Sequence, residues 1–80
     1  MNDPERLDAA FRSALMLPGS TELATVSYAS TPEWDSVGHL QLMAGLDEAF
    51  KISIRDEDVV EMSDYASVRR ILRERYGASL

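Results

Sequence analysis

Apolar residues recur at helical spacing in three stretches of the chain and lose that spacing between them. Leu7, Ala10, Phe11, Ala14 and Leu15 form the first stripe, which predicts a helix over about 4–16. Asp3-Pro4 reads as its start, with Asp as N-cap and Pro at the first helical position, where a missing N–H is no loss. Pro18-Gly19 reads as its end. Residues 17–34 are rich in Ser, Thr, Pro and Gly without periodicity, a long loop for so short a chain. Leu23, Val26 and Tyr28 are the side chains able to pin it across a core, and Trp34 reads as a further packing anchor.

The second helix, over about 36–50, is apolar on two faces. Leu42, Met43, Leu46, Ala49 and Phe50 form a core stripe, and Val37, Leu40 and Ala44 form another. A helix apolar all round is either fully buried or docks a partner. Full burial is hard to reach in 80 residues, so the second stripe reads as a docking surface. Lys51-Ile52-Ser53-Ile54 alternates like a strand, but nothing in the chain offers it a partner strand, and it reads as an extended link. Asp56-Glu57-Asp58 opens a short third helix to about Met62, its acids lying at the favourable end of the dipole. Ser63 or Asp64 caps a fourth helix with Tyr65, Val68, Leu72 and Tyr76 facing inward and Ile71 beside them. Arg73 and Arg75 suit its last turn, and Gly77 stops it. The pattern predicts an all-α fold, a four-helix bundle with a long first loop and a short third helix, as one domain over 1–80.

Composition narrows the function more than the fold. The chain has no cysteine, so neither a disulfide framework nor a thiolate metal site is available. No apolar run approaches membrane-spanning length, and the Met1–Arg6 stretch lacks the layout of a signal peptide; the chain reads as cytoplasmic, with no membrane partner. A net charge of −6 opposes nucleic acid and favours basic partners. The charge is uneven. Residues 31–64 carry nine acids against Lys51 and Arg55, whereas residues 65–80 carry four arginines against Glu74. The acidic field therefore surrounds the start of the second helix.

The candidate chemistry lies at that point. Asp35 is a strong N-cap residue, which makes Ser36 the first helical residue, its hydroxyl directed to solvent beside unpaired N–H groups. A phosphate is favoured there by the dipole and by those donors, so Ser36 is well placed to carry a phosphate-linked group. Asp35-Ser36-Val37, followed by Leu42-Met43, Leu46-Asp47-Glu48, Phe50, Ile52 and Ile54, resembles the acyl carrier protein and peptidyl carrier protein superfamily. Length and helix spacing agree with it over nearly the whole chain. The resemblance implies an acyl-carrier-like bundle in which Ser36 bears 4′-phosphopantetheine, added from coenzyme A by a phosphopantetheinyl transferase. Cargo would ride on the terminal thiol as a thioester.

By the same resemblance the protein is not an enzyme but a free-standing, monomeric carrier. Its partners are an acyl-loading ligase or acyltransferase and a ketosynthase-type or condensing enzyme. Asp35 caps and orients the site, Val37, Leu40 and Ala44 dock partners, and His39, Asp47 and Glu48 flank that surface. Gln41 departs from carriers of fatty acid synthesis, which usually have an acid there, and leans the reading towards a specialised polyketide-type or small-acid pathway. A peptidyl or aminoacyl carrier is the alternative within the class, and a cofactor-free helical adaptor the alternative outside it.

Two other readings carry less weight. Asp35, Ser36 and His39 do not make a hydrolytic triad, because three residues within one helical turn supply neither an oriented base nor an oxyanion hole; His39 reads as a packing or surface-contact residue. Asp47, Glu48, Asp56, Glu57, Asp58 and Glu61 lack EF-hand spacing and read as a solvated acidic face for basic partners, not as a metal site.

Overall fold

The computed structural model describes residues 1–80. Four α-helices, α1 (Asp3–Leu15), α2 (Ser36–Phe50), α3 (Asp56–Glu61) and α4 (Tyr65–Tyr76), are joined by a long first loop that contains one 3₁₀ turn at Leu23–Thr25. No strand forms; Ser27 and Asp64 make only an isolated antiparallel bridge. The all-helical class, the long first connection and the short third helix agree with the pattern of the sequence.

The cap of α1 shifts by one residue. Asn2, not Asp3, caps α1: its side chain accepts the Glu5 N–H at 2.9 Å while Glu5 reaches back to the Asn2 N–H, a capping box. Asp3 is thereby released to accept the Ser79 N–H at 2.7 Å and to pair with Arg6. The helix stops at Met16, before Pro18-Gly19, with Met16 in the left-handed region and the Leu17 N–H reaching back to the Arg12 carbonyl. α2 ends the same way at Lys51 and α4 at Gly77, with the Ile52 and Ala78 N–H groups closing onto Asp47 and Leu72. Each closure satisfies carbonyls that the helix leaves unpaired.

The core is one cluster of 15 buried hydrophobic residues drawn from α1, α2, α4, the first loop and Met62. α1 contributes Leu7, Phe11 and Leu15, α2 contributes Leu42, Met43 and Leu46, and α4 contributes Val68, Ile71 and Leu72. The loop is held by Leu23, Val26 and Trp34, all buried, whereas Tyr28, expected as an anchor, remains 41% exposed. Its backbone supplies the link instead: the Tyr28 N–H donates to the Ser63 carbonyl at 2.8 Å. Trp34 is fully buried and meets Phe11 edge-on, with centroids 5.5 Å apart, a geometry worth about 0.5–1.5 kcal/mol beyond the burial itself. A connection without periodicity is thus fixed by a few large apolar side chains.

The end of the first loop packs tightly on the entry into α2. Gly38 is buried, and a Cβ there would run into the Glu33 carbonyl oxygen and lie 3.1 Å from Leu15 Cδ2. The end of the loop therefore lies directly on the first turn of α2, which sets the position of Asp35 and Ser36.

Candidate functional site

Asp35 has extended backbone angles and its carboxylate accepts the Gly38 N–H at 2.8 Å, so it caps α2 as expected. Ser36 follows as the first helical residue and is exposed. Beside it a surface groove of about 420 Å³ runs between α2 and α3, lined by Ser36, His39, Leu40, Val59, Val60 and Met62, with Tyr28 and Ser63 at its polar margin. Apolar walls with hydroxyls at the edge suit a chain of amide groups separated by methylenes. In that respect the residues present fit a pantetheine arm.

Val37 and Leu40 are 63% and 68% exposed, and Ala44 is also open, so the first loop does not cover the second stripe of α2. Val60 on α3 is still more exposed and lies across the groove from Leu40. Exposed large aliphatic side chains are thus gathered around Ser36. Gln41 and Glu48 are exposed on α2.

His39 and Asp47, grouped with the partner-facing residues in the sequence, are partly buried and make intramolecular hydrogen bonds. The Trp34 indole N–H donates to His39 Nδ1 at 2.9 Å, and His39 Nε2 lies 2.8 Å from the Val59 carbonyl. An indole nitrogen can only donate, so Nδ1 is bare and Nε2 holds the ring proton. The imidazole thereby joins the loop, α2 and α3. Asp47 is half-buried and its carboxylate accepts the Ile54 N–H at 2.9 Å, stitching the link after α2 back onto the helix.

The acidic face is smaller than the composition suggests. Asp58, expected as a solvated residue in the first turn of α3, is buried. Its carboxylate accepts hydrogen bonds from the Tyr76 hydroxyl and the Arg75 guanidinium. Tyr76 foremost, with Arg75 behind it, holds that carboxyl below the ordinary aspartate range, against the desolvation that pushes it up. Burial, and then the hydrogen bond to Asp58, raises the Tyr76 phenol in return. Arg75 also pairs with Glu61 at 2.9 Å, and the Tyr76 hydroxyl accepts the Arg55 N–H at 2.9 Å. α3 has no side-chain N-cap, and this cluster fastens it to α4. Glu48, Asp56, Glu57 and Glu61 remain as the exposed acids of the face, Glu61 paired with Arg75, and no three potential ligand side chains converge on a metal-sized site.

Sequence reasoning missed Gly38, the Trp34–His39–Val59 chain and the inward turn of Asp58. The adjacency of Trp34 and His39 to the Asp35-Ser36 pair was the one available signal. Compared with known protein families, curated proteins and solved structures, the chain matches none.

Proposed function

We propose that this protein is a carrier whose Ser36 is esterified with 4′-phosphopantetheine. The observation that carries the proposal is an exposed serine as the first residue of α2, behind an Asp35 cap, opening onto a groove that suits the arm. When bound, the group supplies a terminal thiol on which an acyl cargo is held as a thioester. The chain itself makes and breaks no bonds. Asp35 fixes the helix mouth, so that the Ser36 hydroxyl meets a modifying enzyme in one orientation. The unpaired N–H groups of the first turn and the dipole favour the phosphodiester charge. Val37, Leu40 and Ala44 offer an apolar contact to partner enzymes, and the remaining acids steer basic ones. Tethering raises the effective concentration of cargo at each partner's active site. With Gln41 at the centre of the docking face, the pathway is a specialised one, polyketide-type or small-acid.

The test is intact mass after incubation with coenzyme A and a promiscuous phosphopantetheinyl transferase. The carrier gains one phosphopantetheine, and Ser36→Ala abolishes the gain. The exposed Val37 and Leu40 also favour a second reading, a cofactor-free adaptor that docks helices. Wild-type protein with unchanged mass would select it.

A further inference from the structure

We propose that His39 bolts the bundle interior shut, so that cargo stays outside in the α2–α3 groove and is a short or polar acyl group. The proposal rests on the carrier reading of Ser36. The groove is lined by Val59 and by the fully buried Met62, which belongs to the same core cluster as Leu42, Leu46 and Val68. An apolar chain on Ser36 would reach those residues only by parting α2 from α3.

His39 stands in that path. Its ring accepts from the Trp34 indole on one side and donates to the Val59 carbonyl on the other, at 2.9 and 2.8 Å. The imidazole and the indole lie side by side and nearly coplanar along their hydrogen bond, with centroids 6.0 Å apart, and His39 meets Tyr28 edge-to-face at 5.3 Å. Parting α2 from α3 breaks the bond to the Val59 carbonyl, and swinging the ring aside to admit a chain also gives up the Trp34 indole N–H, leaving part-buried polar groups without partners, which is costly. The space behind the bolt is already filled. Trp34, Leu42, Leu46, Met62, Val68 and Leu72 have no solvent exposure, and the concavities of the fold all open at the surface. A long chain would have to displace close-packed side chains as well as the bolt.

The experiment uses ¹⁵N-labelled full-length protein loaded at Ser36 with hydrolysis-resistant acetyl-, butyryl- or dodecanoyl-pantetheine. It reads the Trp34 indole N–H and the backbone amides of Leu42, Leu46 and Val68. In wild type those resonances hold their positions for all three chains. In His39→Ala and in Trp34→Phe, the second of which keeps an aromatic ring in the core, dodecanoyl shifts the core amides and acetyl does not. Core shifts with dodecanoyl in the wild type overturn the proposal, as do two folded variants that stay closed. Free S-octanoyl-N-acetylcysteamine added to the same three untethered proteins reads the bolt without the arm: it moves the core amides of the variants alone if the proposal holds. A chain that takes up no pantetheine refutes the carrier reading, and the free thioester then still decides whether His39 closes the interior.

Discussion

The two glycines of α2 predict opposite outcomes for one substitution. In a helix interior, Ala in place of Gly gains about 1 kcal/mol of backbone propensity. At Gly45 nothing opposes that gain, because the nearest heavy atom to an added methyl is Ala14 Cβ at 3.6 Å, an ordinary contact. At Gly38 the methyl runs into the Glu33 carbonyl oxygen and sits 3.3 Å from the Asp35 carboxylate. Backbone cannot swing aside as a side chain does, so the end of the loop must withdraw. Overpacking of this kind costs about 1–3 kcal/mol, and withdrawal also forfeits the Asp35 cap, about 1 kcal/mol. Set against a propensity gain of about 1 kcal/mol, the net loss is about 2 kcal/mol. For a domain of this size each kcal/mol moves Tm by roughly 4–8 °C. Thermal melts followed by circular dichroism should show Gly45→Ala rising by about 4–8 °C and Gly38→Ala falling by about 8–16 °C. Tm shifts of the same sign, or a Gly38→Ala protein at least as stable as wild type, would refute the close approach of the loop to α2.

Asp58 makes an acid-side prediction. Its carboxyl titrates lower in the folded chain than in the unfolded one, so its contribution is fully present above the ordinary aspartate range and is lost as pH falls towards the folded value. Urea midpoints measured from neutral to acid pH should therefore fall less steeply in Asp58→Asn than in wild type, and parallel curves would contradict the buried pairing with Tyr76 and Arg75. Leu40 makes a surface prediction. Because it is 68% exposed, Leu40→Asp should change stability by no more than about 0.5 kcal/mol while slowing modification of Ser36 by the transferase, and an unchanged rate would remove Leu40 from the docking face.

What was legible in the sequence follows the range of the forces involved. α2 begins at Ser36 as expected, because Asp35 is a cap whose effect is local. The start of α1 was ambiguous for an equally local reason. Asn2 and Asp3 are both able to cap, Pro4 tolerates either register in the first turn, and the Glu5 side chain decides for Asn2. Of the three left-handed helix ends, Gly77 could be read, whereas Met16 and Lys51 could not, since nothing in a methionine or lysine announces a positive φ. Asp58 was unreadable in principle from local pattern. It stands in a row of three acids, and the partners that turn it inward lie on another helix at Arg75 and Tyr76. Ser36 was the site residue most legible, because capping chemistry and the downstream pattern meet at one position. His39 was visible as a residue but not as a bolt, because the Val59 carbonyl that completes its bonding comes from α3.

The chain's single tryptophan is fully buried and its indole N–H is hydrogen-bonded to an imidazole. The molecule therefore contains its own optical reporter. Emission from Trp34 registers whether the first loop is seated, so release of that loop by a partner enzyme would be read as a red shift, without any attached label.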